Sequence, residues 1–258
     1  MDIDIKIHIY NCRRLGGKNQ WDWKQNNIFC PDWRLYWNKS PGAFVQIGKT
    51  KTELTPDFIF LMSPGTVYSS RTTDEVLHFY THFTADKPFN SVTPQFFRVH
   101  RGELLELAAE AASAINAQKQ SWRTLMTVKT LIISTLLRIP EKAVPPLKTP
   151  DPRIEHAIFV LSSRKNMGNR SLAEEVNMSI NNFLRLFQRD MSTSPQLWAR
   201  KKRLDEACRL LQFTGQSIEE IAAESGFCDR YHFSRAFKQQ FMTSPAQYRK
   251  QAKIFLET

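Results

Sequence analysis

Three groups of residues in this chain have the types and spacing to do chemistry. His78, Tyr80 and His82 take alternate positions in one apolar run, so on a strand their imidazole and phenol tips share a face. That face can hydrogen-bond a small polar molecule. It does not suit a metal, because two histidines four residues apart on a strand stand about 13 Å apart along it, too far to share one ion. A second group is aromatic: Trp21, Trp23, Trp33, Tyr36 and Trp37 fall between positions 21 and 37, with Arg34 among them. Flat rings with polar edges suit the faces of a sugar, and Arg34 with the histidines could hold hydroxyls or a carboxylate. The same rings could instead form the core of a strand-rich domain.

The third group is basic and polar. Phe233, Ala236, Phe237 and Phe241 recur at helical spacing, and the opposite face carries Arg230, Tyr231, Ser234, Arg235 and Lys238. Fifty positions earlier Phe183, Arg185 and Phe187 repeat, with Asn181, Leu184 and Arg189 beside them. These side chains can read base edges. Asparagine pairs bidentately with adenine and arginine with guanine, each good pair being worth about 1–3 kcal/mol of discrimination. Leu184 either meets a thymine methyl or packs on a neighbour. Arg189, Arg200, Lys201, Lys202, Lys238 and Arg249 are candidates for phosphate contacts, which add salt-dependent affinity without sequence reading.

Composition agrees with a polyanionic partner. The 258 residues include 36 Lys and Arg against 25 Asp and Glu, a net charge of +11. The two halves are about equally basic, but the charge clusters: Arg230, Arg235, Lys238, Arg249, Lys250 and Lys253 occur without an acidic residue between them, and Arg200 to Arg203 form a basic run. Hydrophobic residues at 41% and charged residues at 24% exclude a disordered or collagen-like chain. No stretch approaches the roughly 20 apolar residues that span a bilayer. Ile3, Ile5, Ile7 and Ile9 alternate with polar residues, which predicts a strand rather than a signal peptide. Cys12, Cys30, Cys208 and Cys228 are scattered, indicating neither a zinc site nor a disulfide framework. The expected protein is cytoplasmic, with reduced thiols and no cofactor.

The elements that must position these groups divide the chain in two. Short strands are expected over residues 29–37, 43–47, 58–62 and 76–83, separated by the turns at Gly16 and Gly17, Pro41 and Gly42, and Pro64 and Gly65. This spacing predicts a sandwich or small barrel. Thr93 and Pro94 look like a helix start, and two helices are expected over 102–119 and 121–139. In the second, Leu125, Val128, Leu131, Ile132, Leu136 and Ile139 form one apolar stripe, for a core or for a dimer seam. The proline-rich stretch 141–150 reads as a linker between an effector domain over 1–140 and a helical domain over 151–258.

The helical domain contains a repeat. Phe183, Arg185, Phe187 and Thr193-Ser194-Pro195 match Phe233, Arg235, Phe237 and Thr243-Ser244-Pro245 at an offset of 50, and Leu172-Ala173 match Ile221-Ala222 at 49. Each copy reads as a short helix, a tight turn and a longer helix, with Ser217 and Glu220 forming a capping box and Gly226 a helix stop.

These residues, with Ser179, the joining segment 203–211, Ile218 to Ala222, Gly226-Phe227 and Ser244 to Arg249, resemble the tandem helix-turn-helix module of the AraC/XylS family of transcription regulators. The resemblance implies that the joining helix holds two recognition helices about one DNA turn apart. It also implies that Asn181, Leu184 and Arg185, and Arg230, Tyr231, Ser234 and Arg235, face the DNA. The chain departs from the family pattern at Asn177, Ser192 and Met242, which stand where glycine is usual, and at the polar Asn169, which suggests a short or loose first helix in the first copy. More weakly, residues 42–47, 54–66 and 76–83 resemble the family's cupin-like effector domain.

The fold expected is therefore α+β and multidomain: a cupin-like β-barrel or sandwich with two flanking helices, then an all-α tandem helix-turn-helix domain of homeodomain-like type. The function expected is carbohydrate sensing coupled to transcription regulation. A sugar or sugar-derived effector held by Trp33, Arg34, Trp37, His78, Tyr80 and His82 would gate binding to double-stranded DNA, with RNA polymerase contact and a homodimer as further partners and no membrane. Two other readings remain open: a ligand-independent DNA binder, and a metal-cupin or DNA-modifying enzyme tethered to a DNA reader. A non-enzyme is preferred, because no iron-binding histidine pair is spaced correctly and a repair transferase would need more N-terminal cysteines than Cys12 and Cys30.

Overall fold

The computed structural model describes residues 7–15, 25–72, 76–100, 102–115, 121–146, 150–163 and 167–252. The expected strand residues Ile3 and Ile5, the turn at Gly16 and Gly17, and Trp21 and Trp23 lie outside them. The chain divides into two compact units, with the division after Pro146.

The N-terminal unit is built from antiparallel strands: β1 (Ile7–Leu15), β2 (Gln25–Phe29), β3 (Trp33–Asn38), β4 (Ala43–Ile47), β5 (Thr50–Glu53), β6 (Ile59–Met62), β7 (Val67–Thr72), β8 (His78–Ala85) and β9 (Phe96–Val99). They pair as two sheets, in the orders β1-β8-β3-β6-β9 and β2-β7-β4-β5. Two helices follow, α1 (Gly102–Ile115) and α2 (Trp122–Leu136).

Because side chains alternate along a strand, the larger sheet has two different faces. Trp33, Leu35, Trp37, Leu61, Phe79 and Phe83 form one apolar cluster with Leu104, Ala108 and Ala112 of α1 and Val128, Leu131 and Ile132 of α2. The alanines of α1 let the helix sit close on the sheet. Tyr36, Phe60, Met62 and Tyr80, from the other face, cluster with Ile28, Val45 and Tyr68 of the smaller sheet.

Three expectations change. The strand predicted over 29–37 is two strands in different sheets, broken at Cys30, Pro31 and Asp32, where proline cannot donate to a ladder. Thr93 and Pro94 do not begin a helix: the backbone N–H and C=O of Gln95 bond Ser63, which draws the segment into β9. Leu125 lies outside the buried stripe of α2 and is 48% exposed, while Val128, Leu131, Ile132 and Leu136 are buried.

The C-terminal unit contains α3 (Pro152–Ser163), α4 (Asn169–Glu175), α5 (Ile180–Met191), α6 (Pro195–Phe213), α7 (Ile218–Glu224), α8 (Arg230–Phe241) and α9 (Pro245–Ala252). The sequence repeat is a backbone repeat. Met178 N–H bonds Ala173 C=O at 2.8 Å, and Phe227 N–H bonds Ala222 C=O at 2.9 Å, closing the same helix stop twice. Asn177 (φ 52°) and Gly226 (φ 76°) take the left-handed conformation that this stop requires. The first helices α4 and α7 are equally long at 7 residues. Asn169 therefore does not shorten the first copy; its side-chain oxygen accepts a bond from Gln196 at 3.0 Å.

Ser192 (φ 53°) and Met242 (φ 57°) end the longer helices in the left-handed region, where a Cβ crowds the following carbonyl. Met242 is 85% exposed and has no packing to lose. Met242→Gly is expected to stabilise the C-terminal unit by about 1 kcal/mol and Met242→Val to destabilise it. Urea denaturation of the full chain checks this, and an unchanged midpoint in both variants would refute it.

Candidate functional site

The candidate nucleic-acid interface is the exposed face of two helices whose other face is fixed by phenylalanine. In α5, Phe183 and Phe187 are fully buried, one turn apart, with ring centroids at 5.8 Å. In α8, Phe233 and Phe237 are buried in the same way at 5.6 Å, and Phe237 packs on Phe241 and Tyr248. With that side committed, helical geometry turns Asn181, Arg185 and Arg189 of α5, and Arg230, Tyr231, Arg235 and Lys238 of α8, to the exposed side. Tyr231 is 80% exposed. Ser234 is half-buried, as is Leu184, which packs against the edge of the first copy's core. Of the two uses open to Leu184, packing is the one seen in this chain.

The starts of α7 and α8 are held by side-chain caps. Ser217 and Glu220 cap α7 reciprocally, at 3.1 and 2.6 Å. Asp229 caps α8, accepting from His232 N–H at 2.6 Å, and this bond holds the Asp229 carboxyl below the usual carboxylate range. Helix α6 ties both copies together. At its start Gln196 donates to Met167 C=O at 2.9 Å. In its first half Arg203 donates to Gly226 C=O at 3.1 Å and lies over the Phe227 ring. Near its end Gln212 donates to the buried Tyr248 hydroxyl at 2.6 Å.

The phosphate candidates do not all stand alike. Lys201 and Lys238 are exposed. Arg189 bonds Asp190 at 2.6 Å, Arg200 bonds Gln239 at 2.9 Å, Lys202 lies over the Trp198 ring, and Arg249 is half-buried.

In the N-terminal unit the six effector candidates separate. Pairing of β3 with β8 sets Arg34 opposite His82, Tyr36 opposite Tyr80 and Asn38 opposite His78. These three rows share the face turned toward the smaller sheet. Trp33 and Trp37 occupy the odd positions of β3 and belong to the helix-covered core. Trp33 stacks on Phe83 and Phe97, and the indole N–H groups bond Phe89 C=O at 3.2 Å and Pro56 C=O at 3.1 Å. They are core residues. The period of two that joins Arg34 to the histidines parts both tryptophans from them.

What remains together is the Arg34 guanidinium among histidine and tyrosine side chains, with the carboxyl of the buried Asp32 two residues away. Arg34 donates to the Tyr68 hydroxyl and lies 5.2 Å from the Tyr68 ring centre. Burial pushes the Tyr68 and Tyr36 hydroxyls up, against the pull of Arg34, and pushes the Cys30 thiol up to about 11. The acid nearest in sequence, Asp32, is also buried, and its carbonyl accepts from the Cys30 thiol at 2.7 Å. Burial lowers His78 to about 3, and lowers His82 well below the usual imidazole range with help from Arg34 and then His78. Asn38 donates to Leu54 C=O at 3.2 Å, so its oxygen faces His78 Nδ1 at 2.6 Å and that nitrogen carries the proton. Tyr68 and Asn38 were missed in the sequence. Val67 to Thr72 is polar at four of its six positions, and its one sequence hint is the pair Val67 and Tyr68 soon after the Pro64-Gly65 turn. Among the described residues no group of three His, Cys, Asp or Glu stands close enough to hold a metal ion, and no helix is long and apolar enough to cross a membrane.

Histidines held neutral by burial make stability depend on pH. The folded values lie below the unfolded value, so the unfolded chain takes up protons first as pH falls below about 6.5. Stability is then full above that pH and is lost downward toward about 3, the folded value of His78. Each histidine contributes a slope of about 1.4 kcal/mol per pH unit inside the window. Melting temperatures between pH 7.5 and 5 should fall, and His78→Asn should flatten the fall. An equal slope in the variant would refute the assignment.

Comparison with known proteins matches residues 172–251 to a family model described as a helix-turn-helix domain. The chain is 41% identical over 83 residues to an HTH-type transcriptional regulator of Haemophilus influenzae, covering 32% of this chain and 28% of that protein. It is 24% identical over 160 residues to the HTH-type transcriptional activator RhaS of Enterobacter sp. (strain 638), covering 60% of this chain and 58% of that one. The chain thus spans less than two thirds of the length of these relatives. The whole chain also resembles the ToxT structure from Vibrio cholerae, with a TM-score of 0.55, 14% identity and coverage of 96% of this chain and 99% of that one. This likeness shows a shared two-domain architecture.

Proposed function

We propose that this chain, a member of the AraC/XylS family by its helix-turn-helix pair, is a transcription regulator that binds double-stranded DNA under control of a small molecule held in its N-terminal unit. The observation that carries the reading is the doubled helix-turn-helix joined by one continuous helix. The 19 residues of α6 span about 28 Å, comparable to the 34 Å or so of one DNA turn. Asn181, Arg185, Arg230, Tyr231, Ser234 and Arg235 read bases in this proposal. Arg189, Lys201 and Lys238 meet phosphates, and Leu184 packs at the edge of the contact. RNA polymerase is the further partner by which a bound regulator would act. The protein works in the cytoplasm, by binding and not by catalysis.

For the effector we propose an anionic metabolite, a sugar acid being the form closest to a sugar signal. Arg34 supplies a guanidinium that an acid would bind in exchange for its present partners, Tyr68, Tyr36 and His78 add hydrogen-bonding tips, and the two tryptophans that favoured ring stacking on a neutral sugar are committed to the core. A structure of ToxT is described as bound to an unsaturated fatty acid, an acid of a different kind. Homodimers would form through the outward side of α2, where Trp122, Met126 and Leu137 are exposed.

Fluorescence anisotropy with a selected duplex tests the DNA reading. Arg235→Ala and Lys238→Ala should each weaken binding, and Lys238→Ala should reduce the slope of log K against log salt by about 1. Native affinity in the double variant would overturn it. A thermal-shift panel of sugar acids, neutral sugars and fatty acids tests the effector. An acid at 100 times its Kd should add about 2.7 kcal/mol to stability, lost in Arg34→Met. A shift from neutral sugars alone would overturn the acid assignment.

A further inference from the structure

The two recognition helices are copies in backbone and differ in surface. At the offset of 50, Ile180 stands where Arg230 stands, Asn181 where Tyr231, Leu184 where Ser234 and Gln188 where Lys238, while Arg185 and Arg235 agree. Ile180 opens α5 and is 41% exposed, so an apolar side chain faces water at the position from which its counterpart Arg230 would reach a base. One turn on, Leu184 continues the apolar strip from a half-buried position.

Charge differs in the same sense. The cations of α5 are Arg185, which bonds Asn182 at 3.3 Å, and Arg189, which is paired with Asp190. Helix α8 carries Arg230, Arg235 and Lys238 and contains no acidic residue. An exposed isoleucine at the start of a groove-entering helix has one complement on the base edges of the major groove, the C5 methyl of thymine.

We infer that the two copies read half-sites of different chemistry: α5 an A·T half-site, with a thymine methyl against Ile180 and an adenine edge on Asn181, and α8 a guanine-containing half-site that also supplies most of the phosphate attraction. This rests on the DNA-binding function proposed above. Ile180 is the specificity-determining residue it adds.

The test begins by selecting duplexes from a random library with the full chain. Enrichment of no duplex would overturn the DNA-binding reading itself. With a site in hand, each thymine is replaced singly by deoxyuridine, which removes only the methyl, and binding is measured for the native chain, Ile180→Ala and Arg230→Ala. The native chain should lose about four-fold in affinity at one thymine, the value of one buried methyl. Ile180→Ala should be indifferent to that methyl, and the thymine should lie in the half-site opposite the one where Arg230→Ala relaxes guanine preference. Ile180→Arg should shift the selected base there from thymine toward guanine. Melting curves for each variant confirm folding, which an exposed position should leave unchanged. If no thymine methyl matters to the native chain, or Ile180→Ala keeps the full methyl sensitivity, the inference fails while DNA binding stands.

Discussion

The C-terminal unit depends on the burial of two phenylalanine pairs, Phe183 with Phe187 and Phe233 with Phe237, each spaced one helical turn apart. Burying such a ring is worth about 1.5–3 kcal/mol, so the rotation of α5 and α8 about their axes is not negotiable. Everything on the opposite side follows from that rotation. The left-handed residues Asn177 and Gly226 set the angle at which each longer helix leaves its shorter one. The bonds from Gln196, Arg203 and Gln212 then fix both copies to α6.

The N-terminal unit obeys a different period with the same logic. Alternation along β3 and β8 gives the sheet an apolar face, which α1 and α2 cover, and a polar one, which faces the second sheet. Burial keeps the histidines, tyrosines and Cys30 neutral on that second face, where Arg34 and Asp32 are the charged groups acting on the Cys30 thiol. A guanidinium held in a low-dielectric interior interacts with an anion far more strongly than one at the surface. The chemistry is set by three cross-strand rows of buried side chains.

Much of this was legible in the sequence, and what was not has physical reasons. The repeat, the capping box at Ser217 and the glycine stop at Gly226 are local signals, and helices declare themselves locally. The strand-to-strand register is not local. Nothing within residues 29–37 reveals that Cys30, Pro31 and Asp32 hand the chain from one sheet to the other, or that Trp33 and Trp37 face helices some seventy positions later. Thr93 and Pro94 satisfied the rules for a helix start, yet hydrogen bonds to Ser63, which is distant in sequence, decided the matter. Asn169 misled in the opposite direction, because its partner Gln196 lies in another helix.

The unbroken helix α6 contributes side chains to both copies, and this makes it a ruler as well as a clamp. A residue inserted within it would lengthen the spacing by only about 1.5 Å but would turn everything beyond it by about 100°. Its length is thus tuned more by phase than by reach. In the proposed DNA-binding role, the bases read would change one side chain at a time on α5 and α8, whereas a change in the distance between the two helices would require a whole turn of α6 to be added or lost together.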